Sequence, residues 1–367
     1  MNSGFPQQSP SWTRIVAINL LVFFVLFNLF YWSIPTVGTI LRVIAQTKEA
    51  NSPLPPNYDD VPWARQHYRE RAQRGTVYRS FVEWRHAAAA GETITIEGPY
   101  LQRRTINENT TRDKIAYFFG GSTMWGDGAN DAGTIPSQFA SMTGVHSENF
   151  AEFGYTAHQN LIMLIELLQK GHRPHLVVFY DGVNDVAHKC RVELTPDSHE
   201  RERQFETVLR SSLIADSFSH YAAPLFTFAR NVQREIRRAF KTEEYDCHSN
   251  PSKRDAIVEN LIRDWEFAKD LVERHGGKFV AILQPVAPLS TTRRAHFGMH
   301  PLLDRSYKEI YPVLREKTAG SSQFHDLVSV LDRDEYLYID FCHLSPNGNR
   351  YVAEKMSEIV APLGFKR

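Results

Sequence analysis

The chain lacks most of what would direct it to metal, redox or nucleic-acid chemistry. Its 367 residues include three cysteines, and neither Cys-x-x-Cys nor His-Glu-x-x-His occurs. No zinc motif is therefore encoded, and there are too few cysteines for a disulfide scaffold. Lys+Arg and Asp+Glu both number 42, so no field of one sign favours nucleic acid or an acidic partner. Internal repeats, low-complexity tracts and long runs of like charge are missing as well. What is left is a folded chain long enough for one large domain with additions.

One stretch lacks charge altogether. Ile15 to Ile34 is twenty residues without Asp, Glu, Lys or Arg, enough to cross a bilayer core as a helix. Trp12 and Arg14 stand at one end and Tyr31 and Trp32 at the other, where interfacial anchors belong. A cleaved signal peptide is the rival reading, but its apolar region runs about 7–15 residues and ends in a small-x-small site. This stretch is longer and runs into Tyr31-Trp-Ser-Ile-Pro35. We read residues 1–14 as a tail and 15–34 as a single-pass anchor. Charge does not orient it, since Arg14 and the amino terminus oppose Arg42 and Lys48.

Residues 35–112 read as a membrane-proximal extension and linker. Ala50 to Trp63 is a proline-rich, semi-rigid spacer. Val61 to Ala90 has a charged helical pattern, and Glu92 to Thr105, broken at Gly98-Pro99, alternates like two short strands.

From residue 113 onward, strand and helix patterns alternate. Strands are expected at Lys114–Phe119, His146–Phe150, His175–Tyr180, Lys278–Leu283 and Phe324–Leu327. Helices are expected at Ile135–Thr143, Ala157–Lys170, Asp255–His275, Pro301–Lys317 and Asn347–Ala361, with Thr156 and Gly171 as caps of the second. This predicts an α/β fold, a doubly wound, flavodoxin-like sheet of about five parallel strands in the order 2-1-3-4-5. The crevice of such a sheet opens between its first and third strands, which sets Ser122 opposite Asn184. Between about 187 and 253 a long insertion replaces a short loop and should carry structure of its own. Ser211 to Lys241 has a helical pattern, apolar at one end and basic at the other. It suits either a cap on the domain or a basic surface for anionic headgroups or an acidic polysaccharide.

Three stretches carry the chemistry. Lys114-Ile-Ala-Tyr-Phe-Phe-Gly-Gly-Ser-Thr-Met-Trp-Gly126 ends a strand in a sharp turn bearing a hydroxyl. Phe179-Tyr-Asp-Gly-Val-Asn-Asp185 ends another strand with an amide, and Asp340-Phe-Cys-His343 precedes the last helix. Each alone has an ordinary structural reading: strand exit, helix cap, surface loop. Together, with Gly154 between the first two, they resemble the SGNH (GDSL-type) hydrolase family in residue type and order, over about two thirds of the chain.

The resemblance implies Ser122 as nucleophile, His343 as general base and Asp340 as the group orienting the imidazole. It implies an oxyanion hole from the backbone N–H groups of Ser122 and Gly154 and the side-chain amide of Asn184. No cofactor or metal is implied. The first block departs from the family pattern, because Gly121 stands where many members have aspartate. Trp125 and Tyr155 are either pocket walls for a short acyl group or a sugar ring, or core aromatics.

Cys190 and Cys247 lie at the two ends of the insertion. A disulfide between them would stabilise by about 3–4 kcal/mol and require an oxidising compartment; two unpaired thiols are the alternative. Cys342 is expected to be a packed, unreactive thiol.

The expectation is a serine esterase anchored in the cytoplasmic membrane with its domain on the periplasmic or extracellular side. It would cleave an acyl ester, most simply O-acetyl, on a carbohydrate or envelope polymer. An O-acyltransferase using the same triad on a surface polysaccharide is one alternative. A non-catalytic anchored module binding polysaccharide or protein is another.

Overall fold

The structure, a computed structural model, describes residues 12–30, 53–58, 60–217 and 244–366, with side chains of 210–217 excepted. The helix Trp12–Phe30 (α1) has 19 residues and a mean hydropathy of 2.1, long and apolar enough to cross a membrane. Residues 31–34 of the expected span lie outside the described residues, as does most of the helical pattern expected over Ser211 to Lys241. The chain divides into two compact units, residues 1–48 with 203–242, and residues 49–202 with 243–367.

The second unit opens with the helix Ala64–Gln73 (α2) and the antiparallel strands Thr76–Arg79 (β1) and Glu83–His86 (β2). Helix was expected across Val61 to Ala90. Gly75 ends it instead, and Thr76-Val-Tyr78 and Trp84 carry the side chains that suit a pleated surface. Three short strands follow: Ala89–Ala90 (β3), Thr95–Glu97 (β4) and Gln102–Arg103 (β5). The last two are the pair expected around Gly98-Pro99.

The α/β region then runs Thr111–Gly120 (β6), Ser122–Trp125 (α3), Ile135–Thr143 (α4), Val145–Asn149 (β7), Ala157–Gln169 (α5), Leu176–Asp181 (β8) and Val183–Lys189 (α6). Glu202–Ser217 (α7) lies in the insertion. Pro251–Arg274 (α8), Lys278–Leu283 (β9), Pro301–Thr318 (α9), Phe324–Asp326 (β10) and Pro346–Val360 (α10) complete it. The sheet order is β10-β9-β8-β6-β7-β5-β4-β3. Its five parallel strands have the expected order 2-1-3-4-5, and the three antiparallel strands of the preceding segment extend it at the β7 edge.

Burial explains the central strands. All six residues of β8 are buried, as a parallel strand between neighbours with helices on both faces requires. The exposed half of β6, Thr111 to Lys114, gives way to Ala116–Gly120, which is buried. Helix α5 starts at the expected cap Thr156, which forms a box with Gln159, each capping the other's backbone, and Gly171 follows the helix at φ +89°.

Buried charge fixes the preceding segment to the sheet. Arg85 donates to the carbonyls of Phe150 (2.7 Å), Ala151 (3.2 Å) and Leu101 (3.1 Å). Arg103 pairs with Asp131 at 2.7 Å and donates to the carbonyls of Thr93 and Ala129. Glu70 of α2 accepts the N–H groups of Glu92, Thr93 and Ile94. Arg85 serves three carbonyls, two of them in buried bonds, so removing that one guanidinium takes a partner from several groups at once.

Cys190 and Cys247 are disulfide-bonded, their Cα atoms 5.2 Å apart and 57 residues apart in sequence. The bond closes the insertion at its base, beside the antiparallel bridge between Arg191 and Tyr245. Reducing it, or substituting Cys190→Ser, is expected to cost about 3–4 kcal/mol. The check is a thermal unfolding midpoint that falls with reductant in the wild type and is insensitive to reductant in the variant.

Candidate active site

Strand β6 delivers Ser122 to the carboxyl end of the sheet. Gly121 is extended (φ −84°, ψ −160°), Ser122 opens the single turn α3, and Gly126 closes it at φ +99° with its N–H on the carbonyls of Ser122 and Thr123. Thr123 ties this turn to the loop before α10, its hydroxyl donating to the Cys342 carbonyl at 3.1 Å and accepting from Gln284 at 2.8 Å.

That loop is shaped by one carboxylate. Oδ1 of Asp340 accepts the backbone N–H groups of Cys342 (2.9 Å) and His343 (2.8 Å), curling the chain back on itself. Oδ2 is thereby aimed at Nδ1 of His343, 2.6 Å away. Nε2 of the same ring lies 2.6 Å from Oγ of Ser122. A three-residue spacing suffices because one carboxylate oxygen makes the turn and the other holds the ring.

The expected oxyanion donors line one cavity with Ser122 and His343. Gly154 has φ +74°, and a Cβ there would come within 2.3 Å of Glu200, so the turn that presents its N–H requires glycine. Asn184 sits in the first turn of α6, after Gly182 at φ +110°. Its amide donates one N–H to the Tyr155 carbonyl at 2.8 Å, which fixes the orientation of the other. The unusual Gly121 has a steric reason: a Cβ there would lie 2.3 Å from Nδ2 of Asn184. Aspartate at this position would displace that amide.

The cavity, of about 440 Å³, has a wall of mixed polar and apolar side chains. His188, Arg191, Glu200, Arg201 and His300 share its wall with Phe153, Met299 and Phe341. Trp125 and Tyr155, expected in the pocket or in the core, are buried at 0% and 1% exposure and do not line it. Trp125 packs against Phe153 and His86, and Tyr155 against Trp84, so these are core aromatics.

Electrostatics are consistent with the geometry. Burial alone would lower the basicity of His343, but the Asp340 carboxylate and the hydrogen bond between them outweigh it and raise it well above the usual histidine value. Burial pushes Asp340 up, while the imidazole and the two backbone N–H groups bring it down to about 2. Burial raises the Cys342 thiol to about 11, which keeps it protonated and unreactive. Asp340, Cys342 and His343 bring ligand atoms within 4.8 Å of one another, but the carboxylate is taken up by three N–H groups, so the set is engaged in holding the ring.

Sequence reasoning missed several groups here. Asp127, fully buried, lies 3.7 Å from His343 and pairs with Arg71 of α2. It follows Ser122 by five residues, and a carboxylate between Gly126 and Gly128 in an otherwise uncharged block was the available signal. His188 and Arg191 follow Asn184 by four and seven residues, the spacing of one helix face. Glu200 and Arg201 come from the insertion, where no periodicity marked them.

No protein-family model and no curated protein matches the chain. Among solved structures it is similar to an acetyl xylan esterase, AlAXEase (15% identity, 67% of this chain and 99% of that one, TM-score 0.38). It is also similar to a carbohydrate acetylesterase family member from Sinorhizobium meliloti (15%, 68% and 98%, 0.39). A third is a putative arylesterase from Agrobacterium tumefaciens (13%, 68% and 99%, 0.39). At these identities and scores the chemistry has to be read from this chain's own side chains.

A base must be neutral to accept a proton. With His343 raised above the ordinary value of about 6.5, kcat/KM is expected to climb with pH along a limb whose midpoint lies above that value. A pH series with a neutral ester measures it. Gly121→Ala is expected to lower kcat by about 10²–10³, the cost of one lost oxyanion donor. Asn184→Ala should do the same, and the double variant should be no slower than either alone.

Proposed function

We propose that the chain is a serine esterase of the SGNH type, anchored in the cytoplasmic membrane, that removes a short acyl group, most simply acetyl, from a carbohydrate or envelope polymer. The observation that carries this is the continuous hydrogen-bonded relay from Ser122 through His343 to Asp340 at the mouth of a cavity also lined by Gly154 and Asn184.

In this reading Oγ of Ser122 attacks the ester carbonyl while its proton passes to Nε2 of His343. Asp340 holds the other ring proton and stabilises the imidazolium. The carbonyl oxygen takes up negative charge beside the Ser122 and Gly154 N–H groups and the free amide proton of Asn184. His343 then protonates the departing alkoxide, leaving an acyl-serine. A water molecule gives its proton to the same nitrogen, attacks the acyl carbon and releases the acid, and Oγ regains its proton.

The wall of the cavity supports a hydroxyl-rich alcohol. Two arginines, a glutamate and two histidines would each lose hydration against a long alkyl chain without compensation, whereas sugar hydroxyls supply both donors and acceptors. The Cys190–Cys247 bond supports an oxidising compartment, and with α1 as anchor it favours a domain on the outer side of the membrane. A binding module would have no use for a base aligned on a serine hydroxyl.

The test is release of 4-nitrophenol from acetate and longer esters, beside a serine-directed fluorophosphonate probe. Turnover highest for acetate, with both turnover and labelling lost in Ser122→Ala, is the expected result. Labelling with turnover only when a sugar acceptor is added would establish acyl transfer instead. A folded protein that neither labels nor turns over would remove the esterase reading.

A further inference from the structure

We infer that Asp127 and Arg71 are positioning residues for His343: the carboxylate of Asp127, masked by the guanidinium of Arg71, stands beside Nε2 and sets how tightly the imidazole holds its proton. This rests on His343 being the base proposed above.

Two carboxylates flank the ring. Asp340 lies 2.6 Å from Nδ1, and Oδ2 of Asp127 lies 3.7 Å from Nε2, the nitrogen that also meets Ser122. Asp127 is tied to the nucleophile, since its backbone N–H donates to the Ser122 carbonyl at 3.0 Å. A bare buried carboxylate there would hold the imidazolium proton that the leaving alkoxide needs, because attraction between opposite charges is strong where water is excluded. Asp127 is not bare. Arg71 grips both of its oxygens, Nε to Oδ1 at 2.8 Å and Nη2 to Oδ2 at 3.1 Å, and Arg74 lies 3.8 Å from Oδ1.

The remaining charged and titratable neighbours are accounted for. Around His343 they are Asp340 and Cys342, with His188, Arg191, Glu200, Arg201, Tyr245 and His300 around the shared cavity. Around Asp127 they are Arg103, already paired with Asp131, and His67, Tyr58, Tyr68 and Cys342. Burial holds His67 neutral, at about 3, and pushes the Tyr58 hydroxyl up. Arg71 and Arg74 are therefore the cations that offset Asp127, and both come from α2, outside the strands that build the rest of the site. Asp127 is buried while Arg71 is partly exposed, and such a pair is a poor device for stability alone, because desolvation of the carboxylate consumes much of the attraction. Its place beside the reacting nitrogen gives it a use.

The two partners act on the imidazole with opposite sign. Asp127→Asn leaves two guanidinium groups unopposed, disfavours the imidazolium and should move the acid limb of kcat/KM down by about one pH unit. Arg71→Gln unmasks the carboxylate, favours the imidazolium and should move the limb up by a similar amount. Arg71→Lys, which keeps the charge, should return it most of the way to wild type.

The experiment uses the full chain in detergent, with 4-nitrophenyl acetate for the pH profiles. The His343 ring is titrated in parallel by NMR, its resonance identified by its absence in His343→Gln. Opposed shifts in the two variants are the expected result. Folded variants whose limbs and ring midpoints coincide with wild type would overturn the inference and leave the ion pair a packing element. If Asp127→Asn does not fold, the Arg71 pair decides alone: an upward shift in Gln that Lys reverses upholds it, and no shift overturns it. If the wild type has no turnover, the esterase reading fails, while the ring midpoints still decide this one.

Discussion

The hydrogen bond between Ser122 and His343 joins residues 221 positions apart, and much of the fold can be read as the means of holding it. A serine hydroxyl and an imidazole meet at 2.6 Å only if the exit of β6 and the loop before α10 are each rigid and are fixed to one another. The first condition comes from glycine-permitted turns, the second from Asp340 acting as both turn-former and ring-holder. The third is met by Thr123, whose hydroxyl bonds the Cys342 carbonyl while accepting from Gln284 at the end of β9. The ends of β6 and β9 and the loop before α10 thus converge on one buried hydroxyl next to Ser122. Relays of this kind are won by geometry first, because proton transfer and attack both fail when the reacting atoms drift by an ångström.

Close approach is the second constraint, and it accounts for the glycine at position 121. Asn184 can present an amide proton to the cavity only by lying almost against the backbone at 121. Glycine at that position removes the Cβ that would stand 2.3 Å from Nδ2. Opposite it, Gly154 adopts a positive φ and avoids a clash with Glu200 of the insertion. Gly121 is therefore part of how the Asn184 amide is brought beside Ser122.

Much of this was legible in the sequence, and the limits have physical causes. Strand order, the facing of Ser122 and Asn184, the caps of α5 and the pairing of Cys190 with Cys247 all follow from periodicity, turn residues and position. Charged side chains that fold inward were the hard part. Arg71, Arg74, Arg85 and Arg103 look in sequence like solvated residues of a charged segment, because burial of a guanidinium depends on carbonyls and carboxylates supplied from elsewhere in the chain. Arg85 finds its acceptors around Phe150 and Arg103 around Asp131, partners that no local pattern announces. The same blindness put β1 and β2 inside the charged helical pattern expected over Val61 to Ala90, whereas Trp84 and Arg85 are both buried.

The consequence is that the segment of residues 60–112 cannot be regarded as a passive spacer. Its strands extend the sheet, its buried arginines satisfy carbonyls around the β7 edge, and α2 brings two cations to the carboxylate nearest the reacting nitrogen. Together these contacts set a group of paired charges beside His343. The base needs to be strongly held by Asp340 and yet able to give its proton up, and these demands conflict if every charge around the ring is negative. Opposing Asp127 with Arg71 and Arg74 resolves the conflict by keeping a second carboxylate in place without letting it own the proton. A variant lacking this segment would retain the three residues of the relay and lose the electrostatic setting in which they work.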